Sequence, residues 1–428
     1  MSNQFEADMR ILWLKTELLH PVDKGGKIRT YNMLKELKRN HHITYLTLDD
    51  GTADKDAREK AAEYSDELVC VPHSNREKFS LGFYAELVLN LLSPLPYFMK
   101  KYESAQMKSE ISARASEKRF DVLVCDFLMP SINVPSEVNC VAVLFQHNVE
   151  AMIWKRHYEV ENNPVKREYL RRQWLKSCAF ERTITHRFDH VVSVSSADTE
   201  TMRRDYGLAN VSDVPTGVDT EFFSPRGAER LAAHNLVFTG SMDWLPNADA
   251  IGYFSEQILP RIKQVIPQVT LTVVGRNPSQ SLIELSERDR SIVVTGSVED
   301  VRPYVERASA YIVPLRVAGG TRLKIFEAMA MEKPVISTAV GAEGLPITDG
   351  VDLLLADTPE DFSNAVVKVL SDETFAQALA RQGARKVRES FGWDKAALKF
   401  AEICRGALHL YNEKREKDSS VELVTSKK

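Results

Sequence analysis

Short apolar runs alternate along this chain with longer stretches whose apolar positions recur at helical spacing. In the first half the runs are RILWLK, HITYLTL, ELVCVP, DVLVCD, VAVLFQ and HVVSVSS. In the second half they are NLVFTGS, VTLTVVG, SIVVTG, AYIVPL, PVIST and DLLLAD. Apolar strands separated by helical stretches predict parallel β units joined by crossover helices, hence two open α/β sheets. Between the halves, Tyr206 to Pro225 is rich in Gly, Pro and Asn and has no sustained periodicity, which marks a linker. The boundary is placed near Val211–Val218, giving a first domain of residues 1–210 and a second of residues 211–395. An amphipathic helix is expected over residues 396–415, and the charged remainder, 416–428, is expected to be disordered. Open parallel sheets bind ligands outside the carboxyl ends of their strands, so two facing sheets place a site in a central cleft.

Composition narrows the classes. The chain has 428 residues, 43% hydrophobic and 27% charged, enough for two ordinary domains. A net charge of -4 argues against a dedicated nucleic-acid binder. The five cysteines form no C-x-x-C pair, so neither a disulfide framework nor a zinc site is indicated, and a cytoplasmic location is expected. No stretch reaches the roughly 18 apolar residues needed to span a bilayer.

The loops after the strands carry the candidate chemistry. After RILWLK, Gly25 and Gly26 open an amphipathic helix, where missing side chains permit a phosphate or sugar to approach the backbone; a tight turn without ligand is the alternative. Neither G-x-G-x-x-G nor G-x-x-x-x-G-K-[ST] occurs, so nicotinamide and P-loop chemistry lose their usual signals. His147 follows the strand VAVLFQ at once, placed either to hydrogen-bond a sugar hydroxyl or phosphate or to serve as a structural histidine. Gly240 and Ser241 open a third strand-to-helix turn, where Asp243 or Asn247 could equally cap the helix.

The segment VAGGTRLKIFEAMAMEKPVIST concentrates glycine and positive charge ahead of a helix. Thr321 is a candidate cap, and Arg322 and Lys324 sit in the first turns, where cations oppose the helix dipole. A bound diphosphate reverses that penalty, Arg offering a bidentate fork and Lys a point charge. Glu327, flanked by apolar residues, suits the two hydroxyls of a ribose; a solvated charged face is the plain alternative.

From LVFTGSMDWLPNADAIGYF through VVGRNP, VTGSVEDVRPYV and VPLRVAGGTRLKIFEAMAMEKPVIST to EGLP, the second half resembles the nucleotide-sugar-binding domain of GT-B glycosyltransferases of the group 1 family. Within it the likeness is to bacterial sugar transferases associated with exopolysaccharide synthesis. HPVDKGGKIRTYNML, QHNVEAMIW and VPTGVDTEFF match the family's glycine loop, histidine loop and interdomain linker, so the resemblance covers residues 9 to 410. It implies a GT-B fold of two Rossmann-like doubly wound domains facing a central cleft, with the 396–415 helix crossing back onto the first domain. It also implies retaining transfer of a sugar from a nucleoside-diphosphate donor, with no obligatory metal or other cofactor.

Residue by residue, the second glutamate of the family's paired motif matches Glu327, which holds the ribose, whereas the first falls on Gly319. Backbone amides of Gly320, Thr321 and Arg322 match those that approach the donor sugar and phosphates. The family's Arg and Lys after the first strand of this domain are absent from GSMDWLPNADAI, and Arg322 and Lys324 are expected to replace their charge from the opposite loop. Gly25 and Gly26 border the diphosphate and acceptor, His147 contacts the donor sugar, Gly296 and Val298 flank the nucleobase, and Arg276 ends a strand facing the cleft. No carboxylate stands out as a nucleophile, which favours a front-face mechanism with charge stabilised on the leaving phosphate.

The acceptor is expected to be a glycan or a lipid-linked molecule met by the first half. Lys155 to Arg187 carries nine Lys/Arg and four Glu, a net of +5, and upstream FSLGFYAELVLNLLSPLPYFMKKY is apolar and aromatic. That pairing suits peripheral contact with an anionic membrane, or equally a helix core beside a solvated basic face. A nucleotide-sugar epimerase or a non-catalytic nucleotide-sugar-binding protein are the competing functions; an epimerase needs an acid/base carboxylate near the sugar, which Gly319 does not supply.

Overall fold

The computed structural model describes residues 8–22, 25–74, 80–116, 119–161, 163–227, 232–317 and 323–425. Two compact units divide the chain, one comprising residues up to Pro215 together with those from Ala396 onward, the other Thr216–Lys395.

The first unit is built on seven strands: β1 (Arg10–Lys15), β2 (His42–Asp49), β3 (Glu67–Pro72), β4 (Val122–Asp126), β5 (Val141–Gln146), β6 (His190–Ser193) and β7 (Val211–Asp213). They lie in the order β3-β2-β1-β4-β5-β6-β7, each pairing parallel. Parallel pairing obliges each connection to recross the sheet, so helices cover both faces and central strands are apolar on both sides. VLVCD of β4 and VAVLFQ of β5 are accordingly buried at every position.

The second unit carries β8 (Asn235–Thr239), β9 (Thr270–Val274), β10 (Ile292–Val294), β11 (Ala310–Val313), β12 (Val335–Ser337) and β13 (Leu354–Leu355). Their order is β10-β9-β8-β11-β12-β13, again parallel throughout. Leu236, Phe238, Leu271, Val273 and Ile312 pack one face against Phe254, Ile262 and Phe362, while Val237, Val274, Tyr311 and Val313 pack the other against Ile325, Phe326 and Met329.

Each apolar run of the sequence contains one of these strands. The structure differs at two places. Val211–Asp213, assigned above to the second domain, pairs with β6 in the first sheet, because three residues suffice for an edge strand that the Gly/Pro-rich surroundings conceal. The final helix runs Trp393–Thr425, past residue 415 into the tail expected to be disordered. Glu, Lys and Leu in that tail are good helix formers, and a helix already nucleated extends through them at little cost.

Within the first unit, Phe400 on that last helix is fully buried, its ring 5.6 Å from Trp13 and 5.1 Å from Phe145. Phe400→Ala is expected to destabilise the first unit by about 3–5 kcal/mol. Tryptophan fluorescence during urea unfolding reads it; an unchanged first transition contradicts the packing described.

Candidate active site

The register of the first sheet brings the ends of three strands level. Leu14 pairs with Cys125 and Asp126 with Phe145, so Lys15 ending β1, Asp126 ending β4 and Gln146 ending β5 share one edge. There Asp126, wholly buried, gathers donors on Oδ2: Trp13 Nε1 at 3.0 Å, Lys15 Nζ at 2.8 Å and Thr30 Oγ1 at 2.6 Å. Its Oδ1 lies 2.7 Å from His147 Nε2, close in distance but outside hydrogen-bond geometry. Burial alone would raise the Asp126 carboxyl, but Lys15 and His147 outweigh it and hold the group well below the ordinary carboxylate range. Burial likewise dominates at His147 and, against the pull of Asp126, takes the imidazole down to about 3, leaving it neutral. The ion pair is therefore Lys15–Asp126.

His147 is sealed more tightly than a sugar ligand needs to be. Its ring stacks on Phe127 at 3.8 Å between centroids and lies 4.6 Å from Phe145, leaving the side chain 2% exposed. Direct contact with a substrate requires the Phe127 ring to swing aside. Phe127 itself sits at φ +73°, and a Cβ on Gly26 would meet its ring at 2.8 Å, so Gly26 is needed to admit that ring. Gly25, with open space at its Cβ position, begins the helix Gly25–Leu37.

Just beyond His147 begins the helix Glu150–Val160, capped from the neighbouring helix Pro164–Thr185. Glu181 accepts from the Glu150 and Ala151 N–H groups, each at 2.9 Å, from Tyr206 Oη at 2.8 Å, and from Gln146 Nε2. Burial first, then Glu181, pushes the Glu150 carboxyl up to about 7, and burial raises Glu181 to about 7 against its donors.

In the second unit, the loops after β8, β9 and β10 are zipped together. Gly240 N–H donates to Val274 O, Met242 N–H to Arg276 O and Gly275 N–H to Gly296 O. Gly275 admits no side chain, since a Cβ there would fall 1.8 Å from Gly240 O. Arg276 Nε donates to Ser241 Oγ at 2.9 Å, and Ser241 in turn donates to Asp243. Neither Asp243 nor Asn247 caps the following helix Leu245–Tyr253, whose N-cap is Trp244 with no side-chain bond. Asn247 has other work: its Nδ2 donates to Ser241 O at 2.8 Å and its Oδ1 accepts from Lys324 Nζ at 3.0 Å.

Lys324 lies in the first turn of the helix Leu323–Ala330. Its ammonium reaches over the Phe238 ring at 4.2 Å and stands 2.8 Å from where a Gly240 Cβ would be. Gly240, Ser241, Arg276 and Lys324 thus meet at one strand edge. One turn on, Glu327 is partly buried, and burial raises its carboxyl to about 7 against the opposing pull of Lys324. Gly296, at φ +70°, follows β10, and Val298 packs against the core beside it. Gly319, Gly320, Thr321 and Arg322 lie outside the described residues.

Among residues that sequence reading missed, Lys15, Thr30 and Asp126 matter most. The signal was present: a lysine and an aspartate each closing an otherwise apolar strand.

Residues 24–222 match Glycosyltransferase Family 4, and residues 233–372 match Glycosyl transferases group 1. The chain is 21% identical over 396 residues to an uncharacterized 44.6 kDa protein in the cps region of Klebsiella pneumoniae, covering 89% of this chain and 96% of that protein. Sucrose-phosphate synthase from Thermosynechococcus elongatus superposes with a TM-score of 0.65 at 17% identity, over 94% of this chain and 100% of that one. The Anabaena protein HepE, solved with UDP and glucose, superposes with a TM-score of 0.63 at 13% identity, over 93% of this chain and 100% of that one. Two parallel sheets of this order, glycine-laced at their carboxyl edges, are the GT-B architecture. The chain belongs to the group 1 glycosyltransferases, and is an enzyme of glycosyl transfer.

Three variants check these electrostatics. Asp126→Asn strands the Lys15 charge in the interior and is expected to cost about 3–5 kcal/mol, which adding Lys15→Met largely restores. Urea unfolding measures both; a single variant as stable as the parent refutes the ion pair. The raised Glu150 means the folded chain retains a proton that the unfolded chain releases above about 4.5, so the associated stability is present below that pH and is lost as pH rises through about 7. Glu150→Gln is therefore expected to be neutral at pH 4 and stabilising by on the order of 2 kcal/mol at pH 8. Comparing melting temperatures of parent and variant cancels all other titrations, and an offset independent of pH contradicts the assignment.

Proposed function

We propose that this enzyme transfers a sugar, with retention of anomeric configuration, from a nucleoside-diphosphate sugar to a glycan or lipid-linked acceptor in cell-surface polysaccharide synthesis. The observation that carries this reading is the Lys324 ammonium, directed onto the Gly240 loop and held there by Asn247. A departing diphosphate needs positive charge at a helix start, and Lys324 in the first turn, beside a Gly240 that carries no side chain, offers it. Lys324 comes from the strand edge opposite the loop where the family's cations usually sit, and so replaces a charge that GSMDWLPNADAI lacks.

The remaining residues take roles consistent with that placement. Glu327, one turn further along, accepts from the two ribose hydroxyls; those bonds and the nearby ammonium favour its ionised form when donor is bound. Gly296 and Val298 flank the base, Ser241 and Arg276 border the phosphates, and Arg322 with the Gly320 and Thr321 amides completes the anion site. Gly25 and Gly26 bring a helix start to the acceptor side, and His147 meets the donor sugar once Phe127 yields. The leaving phosphate takes the acceptor proton, and the chain stabilises its charge. The cps-region relative and the neighbour solved with UDP and glucose support this reading.

A thermal-shift panel of UDP, GDP and ADP sugars, followed by transfer assays with the stabilising donor, tests the proposal. One nucleotide family is expected to raise the melting temperature, and product NMR is expected to show the donor's anomeric configuration; an inverted product removes the retaining assignment. Lys324→Ala is expected to weaken donor binding ten- to a hundredfold, the worth of one charge-assisted contact of about 1.5–3 kcal/mol. Titration calorimetry measures it, and unchanged affinity removes Lys324 from the site.

A further inference from the structure

The first unit leaves a large apolar stripe uncovered. On the helix Leu81–Asn90 and the turn after it, Tyr84, Val88 and Leu92 recur every fourth residue and are 52%, 65% and 88% exposed, with Leu89 beside them at 66%. Core packing does not explain residues so exposed. The stripe is also fixed in place: Lys176 Nζ donates to Asn90 O at 2.5 Å, Gln173 Nε2 to Asn90 Oδ1 at 3.0 Å, and the Tyr97 N–H to Gln173 Oε1 at 2.9 Å. Those bonds come from the basic helix Pro164–Thr185, which exposes Lys166, Arg167, Arg171 and Arg172 and, between them and Lys176, the half-exposed Leu175. Glu168 pairs with Arg171 and Arg172, yet the segment Lys155 to Arg187 keeps its excess of cations.

Apolar side chains beside a cationic helix match one surface well, an anionic lipid leaflet, whose acyl region takes the former and whose head groups take the latter. A second copy of this chain matches poorly, because a two-fold contact would set cationic patch against cationic patch. Behind the stripe lies a cavity of about 1110 Å³ lined by Glu17, Asp50, Phe83, Tyr97, Lys101 and Tyr102, with Leu89 belonging to both cavity and stripe. Carboxylates and aromatic rings of that kind suit a saccharide.

We propose that Tyr84, Val88, Leu89 and Leu92, with the adjoining basic helix, dock this enzyme on an anionic leaflet, so that the saccharide head of a lipid-linked acceptor enters the neighbouring cavity. The proposal deepens the glycosyltransferase reading above and rests on it for the nature of the acceptor. Among the described residues no helix is long and apolar enough to cross a membrane, so contact of this kind is superficial.

The full chain is to be sedimented with vesicles of phosphatidylcholine containing three-tenths phosphatidylglycerol, and with phosphatidylcholine alone, at low salt. It is expected to pellet with the former and not the latter, and to be released by half-molar salt. Val88→Asp with Leu92→Asp, and separately Arg171→Glu with Arg172→Glu, are each expected to lower partitioning tenfold or more, since one cation near such a surface is worth roughly fivefold. Both pairs are solvent-facing, so melting temperature and nucleotide binding are expected to stay at parental values, which separates failure of docking from failure of the donor-site reading. Failure to pellet with anionic vesicles, equal pelleting with both kinds, or a dimer in sedimentation equilibrium that Val88→Asp with Leu92→Asp dissociates would overturn the proposal.

Discussion

Parallel strand pairing is the constraint from which the rest of this structure follows. A parallel pair cannot be closed by a tight turn, so each of the connections here crosses the sheet and returns, and all strands of a unit end on the same edge. The chemistry collects there because the geometry leaves it nowhere else. In the first unit the edge brings together Lys15, Asp126 and His147; in the second it brings together Gly240, Ser241, Arg276 and Lys324. The close glycine contacts, such as Gly275 against Gly240, are what level loops require when they run side by side.

The two edges treat charge in opposite ways. Asp126 is offset within the protein by Lys15 and by neutral donors, a closed arrangement whose role is to hold the ends of β1, β4 and the helix Gly25–Leu37 in register. Lys324 is instead met by the neutral amide oxygen of Asn247, and the nearby Glu327 is held partly protonated by its burial. The Asn247 amide orients that ammonium without adding a charge of its own.

Much of this was legible in the sequence because burial on both faces writes a parallel strand as an unbroken apolar run. VLVCD and VAVLFQ could be read as strands without knowing their partners. The cluster around Asp126 was not legible for the converse reason: Lys15 and Asp126 are 111 positions apart, and a polar residue closing a strand usually meets solvent. His147 was noticed by its place after β5, but its enclosure by Phe127 and Phe145 depends on tertiary packing and on a positive φ at Phe127 that no local pattern announces. Asn247 resembled a helix cap; its partner, Lys324, lies 77 residues away. The strand Val211–Asp213 was hidden because three residues are too few to show a period.

The fully buried Phe400 sets an order of events during synthesis. The first unit takes its opening strands from one end of the chain and this ring from far downstream, with the entire second unit translated in between. The growing polypeptide must therefore shelter an incomplete β1–β5 face while the second unit forms, and any stall or cleavage before residue 400 leaves Trp13 and Phe145 facing water. A nascent chain of that kind invites chaperone engagement on its first half and rapid proteolytic clearance if the downstream helix never arrives.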